Sequence, residues 1–149
     1  MYKRILIATD GSELAMKGLQ KGLELAAQLG ARVDIVTVSE PWAVGMYDAM
    51  GWSAGYEASP EYKQDREAAA QKILQPSLDA ARAAGVAEVI GHHVLDRYAA
   101  DGIIETADAC GSDLLVMTSH GRRGMTRVLL GSQTAEVLAR SKVPVLVIR

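Results

Sequence analysis

Short, nearly unbroken apolar runs alternate along this chain with longer segments whose apolar residues recur every three or four positions. The runs lie at residues 4–9, 32–39, 88–95, 113–118 and 143–148. Stretches such as ILIAT, VDIVTV and LLVMT lack the polar alternation of a strand with one wet face. They predict strands covered on both sides, the condition of a parallel sheet.

The segments between carry helical spacing and clear stops. Ser12 is a candidate N-cap, and Ala15, Gly18, Leu19, Gly22, Leu23 and Ala26 follow on one stripe until Gly30. Two glycines on that stripe cost about 1 kcal/mol each against alanine, which points to a close approach of helix and sheet. A second helix is predicted over 61–84, with Gly85 as its stop and Pro76 kinking or splitting it near Gln75. A third covers 99–110, turns Ile103, Ile104 and Ala107 inward and ends at Gly111. The fourth begins at Ser132 and buries some combination of Ala135, Val137 and Leu138 before Pro144. With right-handed crossovers this order gives an α/β fold, a single Rossmann-like three-layer sandwich over 1–149 with a five-stranded parallel sheet and four helices. Segment 41–59 breaks the rhythm with three glycines and both tryptophans, and reads as a lid, a binding loop, an interface piece or a mobile insertion.

Composition narrows the classes. With 49% apolar and 23% charged residues in 149, the chain is expected to be globular and to bury about two-thirds of its unfolded surface. Its 16 Lys and Arg are outnumbered by 18 Asp and Glu, so no nucleic-acid partner is expected. A single cysteine, Cys110, excludes an intrachain disulfide framework and a CxxC motif. The first apolar run, 5–8, is too short for a signal segment or a membrane span, so the cytoplasm is the expected location and no membrane partner is expected.

Candidate chemistry gathers at two places. The stretch MTSHGRRGMTRVLLGSQT, residues 117–134, leaves a predicted strand as a glycine-bearing loop and enters a helix at Gly131-Ser132. Helix N-termini expose unpaired N–H groups and a positive dipole end, which suit an anion such as a nucleotide phosphate. In an open parallel sheet, ligands bind beyond the carboxyl ends of the strands where strand order reverses. If the first and fourth strands are neighbours, Ala8, Thr9, Asp10, Gly11 and Ser12 share one crevice with Thr118, Ser119, His120 and Gly121. Asp10 reads either as an acceptor for ribose hydroxyls or adenine, or as a turn or N-cap aspartate. Ser132 and Thr134 read either as local caps or as phosphate contacts. Arg122, Arg123 and Arg127 make the loop basic, as phosphate contacts or as solvated side chains. No carboxylate in the sequence is placed to orient His120, which reads as a structural hydrogen bond. His92 and His93 are adjacent in a predicted strand, point to opposite faces and make no chelating pair. Cys110 reads as a small buried hydrophobe. No GxxxxGK[ST], GxGxxG, GxSxG or HExxH motif is present, and no catalytic residue or metal ligand is assigned.

With KRILIATDGS near the start, VTVSE closing the second strand, the block DLLVMTSHGRRGMTRVLLGSQTAEVL and the final VPVLVIR, the chain resembles the universal stress protein family from end to end. ATP-binding members of that family carry a Gly-x2-Gly-x9-Gly-Ser/Thr signature, and the matching positions here are Thr118-x2-Gly121-x9-Gly131-Ser132. The first glycine is absent. In the family pattern it lies beside the ribose, where a side chain crowds the nucleotide; Thr118 is small, and its hydroxyl reads either as a hydrogen bond to the ribose or as facing the core. The resemblance implies that Asp10 contacts the nucleoside, that the Val38 backbone meets the adenine edge, and that Ala8, Thr9 and Met117 line the pocket. Thr118, Gly121, Gly131, Ser132, Gln133 and Thr134 complete the implied site. It also implies a homodimer in which the last strand pairs with its copy across a two-fold axis.

The resulting expectation is a stress-response protein that binds ATP, with or without Mg²⁺, and uses site occupancy to regulate a partner or its own assembly. Two alternatives stay open. One is a nucleotide-free dimeric module, its pocket closed by Thr118, that acts by protein contacts; the other is a slow ATPase.

Overall fold

The computed structural model describes residues 1–41, 59–120 and 130–149. Five strands and four helices alternate among them: β1 (Arg4–Ala8), α1 (Glu13–Leu29), β2 (Arg32–Ser39), α2 (Pro60–Ala83), β3 (Val89–Leu95), α3 (Ala99–Cys110), β4 (Leu114–Thr118), α4 (Ser132–Arg140) and β5 (Val145–Ile148). The strands form one sheet in the order β3-β2-β1-β4-β5, with every neighbouring pair parallel. The α/β sandwich expected from the alternating pattern is the fold observed.

Strand alternation sorts the core into two layers. Ile5, Ile7, Val33, Ile35, Leu114 and Val116 face α1 and α2, meeting Leu19, Leu23, Ala26, Leu74 and Ala81. Leu6, Val36, Leu115 and Met117 face α3 and α4, meeting Ala100, Ile103, Ala107 and Val137. Each large aliphatic side chain buried this way contributes about 1.5–3 kcal/mol. Both faces being covered explains the unbroken apolar runs.

Helix α1 follows its predicted stripe. Ser12 caps it through a hydrogen bond from the Ala15 N–H, Gly30 ends it at φ 62°, and Ala15, Gly18, Leu19, Gly22, Leu23 and Ala26 are its buried residues. The two glycines have a packing cause: a Cβ on Gly22 would stand 2.9 Å from Ile7 Cδ1, and one on Gly18 would overlap the methyl of Thr118.

Four expectations need correction. Helix α2 is not split but runs unbroken through Pro76, and the Ser77 hydroxyl donates to the Ile73 carbonyl at 2.8 Å just beyond it. In α3, Ile103 and Ala107 are buried as expected, but Ile104 is only half-buried and Gly102 and Thr106 complete the inner face. In α4 the buried residues are Thr134 and Val137, whereas Ala135 and Leu138 are exposed. The N-cap of α4 is Gly131 rather than Ser132.

Candidate functional site

The pairing of Ile7 with Val116 makes β1 and β4 neighbours. From β1 the chain steps to β2 and then β3 at one edge; from β4 it steps to β5 at the other. Their shared carboxyl end is therefore the place where strand order reverses, the usual position of a ligand crevice in such sheets.

The β1 side is a set of local turns. Thr9 N–H still bonds to the Val36 carbonyl at 3.0 Å. The Asp10 Oδ1 then accepts from the Ser12 N–H at 2.9 Å, and Thr9 Oγ1 accepts from the Gly11 N–H at 3.2 Å. Gly11 sits at φ 77°, which a side chain resists. Asp10 is thus a half-buried turn aspartate that shapes the entry to α1, while Ser12 is the cap. The turn role and a ligand role are compatible, because a carboxylate has about four acceptor positions.

On the β4 side, Thr118 is buried. Its hydroxyl donates to the His120 carbonyl at 2.8 Å, and its methyl fills the notch left by Gly18 on the α1 face. Met117, one residue earlier, faces the opposite layer, as do Ala8 and Val38. The side chain that replaces the signature glycine is therefore absorbed by the α1 packing.

Gly131 brings α4 back onto this strand end. Its N–H donates to the Ser119 carbonyl at 2.7 Å, and a Cβ there would stand 3.2 Å from that oxygen. As N-cap it offers no side-chain acceptor, so the first N–H groups of α4 have no side-chain cap. The buried Thr134 hydroxyl is shared between the Thr118 and Ser119 carbonyls at 3.0 and 3.2 Å, which pins α4 to β4. Gln133 turns away: its Oε1 accepts from the Ala100 N–H at 2.9 Å and caps α3, whose own N-cap residue Tyr98 supplies no side-chain bond. Ser132 is exposed at the first turn. His120 shares a hydrogen bond between Nδ1 and Ser119 Oγ at 3.0 Å, the structural role expected of it. Its Nε2 is buried with no partner among the described residues. Gly121, Arg122, Arg123 and Arg127 lie outside the described residues.

A second polar group stands apart from this crevice. Asp34, fully buried in β2, accepts at Oδ1 from Arg32 at 3.2 Å and shares a 2.7 Å hydrogen bond with His92 Nε2 on β3. Cys110 Sγ lies 3.6 Å from the same nitrogen. The expectation that Cys110 is a small buried hydrophobe fails: the thiol is half-buried in polar company. Burial first, and the Asp34 carboxylate second, push its pKa up. A raised thiol, with cysteine and aspartate both on one imidazole nitrogen, is not the arrangement of an activated nucleophile. His93 points to the other face, where Glu67 at 2.6 Å and Ser39 at 2.8 Å hold it, as expected of adjacent residues on an edge strand. The signal for this cluster was an acid in the middle of RVDIVTVS, a run that burial otherwise keeps apolar.

The fold and the strand-reversal crevice define the class as a doubly wound parallel α/β protein. The model of the universal stress protein family matches residues 1–149, and the chain belongs to that family. It is 29% identical over 149 residues to the universal stress protein MJ0531 of Methanocaldococcus jannaschii, covering 100% of this chain and 83% of that one. It is 29% identical over 151 residues to YxiE of Bacillus subtilis, covering 100% of both. Among solved structures, a universal stress protein in complex with cAMP is 28% identical with a TM-score of 0.70, covering 99% of this chain and 97% of that one. UspA from Lactobacillus plantarum shares the fold at 19% identity and a TM-score of 0.82, covering 99% and 98%. Among the described residues no helix is long and apolar enough to cross a membrane.

Proposed function

We propose that this universal stress protein binds ATP, with Mg²⁺ as the nucleotide's counter-ion, in the crevice between the ends of β1 and β4. It would act in the stress response by coupling occupancy of that site to a partner or to its own assembly. The observation that carries this reading is the N-terminus of α4, where Gly131 leaves the first N–H groups without a side-chain cap among the described residues, the arrangement that suits a phosphate. The similar structure solved with cAMP supports a nucleotide as the class of ligand. Asp10, Thr9, Ala8, Val38 and Met117 form the nucleoside side in this reading; Gly121, Gly131, Ser132 and the backbone of Gln133 and Thr134 form the phosphate side. In this reading Thr118 leaves the pocket open, a view supported by its methyl packing against α1 and its hydroxyl donating to the His120 carbonyl.

Nucleotide released by denaturing the purified protein, and calorimetric titration of nucleotide-free protein with ATP, test this directly. Thr118→Gly should change affinity by less than about tenfold, the equivalent of 1.4 kcal/mol. Binding seen only in that variant would mean that the native site is closed and would favour the nucleotide-free module. Neither co-purified nucleotide nor heat of binding, in wild type and variant alike, rejects the reading.

We also propose a homodimer through β5, an edge strand on which Leu146 is 36% exposed. Val145→Asp should then yield monomers by light scattering, and an unchanged mass excludes pairing through that strand.

A further inference from the structure

Asp34, His92 and Cys110 come from β2, β3 and the last residue of α3, and one donor atom of each lies within 4.8 Å of the others. Hydrogen bonds link the three side chains but leave one buried acceptor over. Arg32 and His92 both engage Asp34 Oδ1, while Oδ2, on a residue with no exposed surface, is buried without a partner among the described residues, as is Arg32 Nε. Leaving a carboxylate oxygen dry and unpaired is costly, so an unpaired one in a fully buried acid calls for an acceptor's partner. Cys110 sits against the same pair, and the group borders a cavity of about 830 Å³ also lined by Arg4, Arg32, Glu105 and Thr106.

We propose that Asp34, His92 and Cys110 form a binding site for a divalent transition metal of the zinc type, separate from the nucleotide crevice. Carboxylate, imidazole and thiolate together are the donor set that borderline-soft ions select over Mg²⁺ or Ca²⁺. The geometry is close to what is needed. Zn–S and Zn–N bonds of about 2.3 and 2.05 Å at a tetrahedral angle set sulfur and nitrogen about 3.6 Å apart, and Cys110 Sγ and His92 Nε2 stand 3.6 Å apart. Nitrogen and oxygen donors would need about 3.3 Å by the same construction. The 2.7 Å between His92 and Asp34 is a hydrogen bond that closes on a proton and opens by a side-chain rotation when the ion replaces it.

On binding, the proton that His92 Nε2 shares with Asp34 leaves to solvent and the neutral ring carries its proton on Nδ1, so that the ion takes the Nε2 lone pair together with Asp34 Oδ2 and the Cys110 sulfur. The thiol proton leaves to solvent. The two negative donors balance the dication, and Arg32, held by Asp34 Oδ1 and by Glu88 at 3.4 Å, fixes the carboxylate from behind. The fourth position faces the cavity and takes water. Donors on two paired strands and a helix end are held by rigid elements, the condition for a preorganised site.

Cobalt tests this cleanly, because the chain has one cysteine and any sulfur-to-metal band reports Cys110. Full-length protein, reduced, stripped with a chelator and desalted, is titrated with Co²⁺. The expected result is visible absorption saturating at one equivalent with a near-ultraviolet thiolate band, both displaced by Zn²⁺. Cys110→Ser should abolish the thiolate band, His92→Ala should weaken binding by about tenfold or more, and His93→Ala, on the opposite face, should leave the spectrum unchanged. Circular dichroism of each variant separates loss of the site from loss of the fold. As a second readout, Zn²⁺ should slow alkylation of Cys110 by iodoacetamide at least about tenfold, since the free thiolate is the reacting form. Cobalt binding without a thiolate band, or alkylation at the same rate with and without Zn²⁺, overturns the proposal. Neither experiment involves nucleotide.

Discussion

The crevice at the ends of β1 and β4 and the polar cluster beside α3 stand on the same sheet but are built from different materials. The crevice is made of backbone: an aspartate turn, a glycine cap, and N–H groups at a helix start. Most of its side chains, including those of Thr118, Gln133 and Thr134, are spent on joining the surrounding elements. The cluster is made of side chains, with a buried acid held by a guanidinium on one side and an imidazole on the other. A backbone site tolerates substitution as long as the chain path holds; a side-chain site loses its balance when one partner goes.

The largest expected effect follows from that difference. Arg32→Met removes the cation beside Asp34 and leaves the buried carboxylate with His92 and the Cys110 thiol. Breaking a buried pair costs about 3–5 kcal/mol, reduced here to about 2–3 because the Arg32 side chain is 29% exposed. Urea unfolding with a chelator present measures it. A loss under about 1 kcal/mol would mean that the cluster is no more sensitive than an exposed ion pair, and the contrast with the crevice would fail.

A smaller effect probes the crevice through its packing. Gly18→Ala should destabilise the protein by about 1–3 kcal/mol, because the new methyl overlaps that of Thr118. Thr118→Gly, costly alone through lost packing, should recover part of that loss in the double variant. A coupling of about 1 kcal/mol in a double-mutant cycle fits direct contact, and additivity within about 0.5 kcal/mol would show that Thr118 does not occupy the Gly18 notch.

The smallest effect separates support from binding. Gln133→Ala removes the acceptor for the Ala100 N–H and should cost about 0.5–2 kcal/mol of stability, as for other lost caps. ATP affinity should stay within about threefold, because in the proposed site only the backbone of Gln133 meets the phosphate. A large loss of affinity with unchanged stability would return its side chain to the site.

The residues explain how far the sequence could be read. Helix α1 was legible to its caps because its pattern is local: Ser12, a stripe at helical spacing, then Gly30. The crevice was legible because it depends on contiguous loops beside strand ends. Helix α4 was misread in detail, since nine residues hold too few turns for periodicity to separate Val137 from Ala135 and Leu138. Pro76 was expected to kink or split α2; it does not split it, because packing of Leu74, Ser77 and Ala81 around it outweighs one missing N–H donor. Thr118 read as facing either the nucleotide or the core, and the sequence could not choose, because the choice depends on a glycine a hundred positions earlier.

The sequence by itself determined the order of elements, the two-sided burial of the strands and the family, because all three are written in local periodicity and contiguous motifs. Only the tertiary structure decided where Thr118 turns and that Asp34, His92 and Cys110 meet. Side chains separated by tens of residues become neighbours through strand order and helix docking, which no local pattern along the chain encodes.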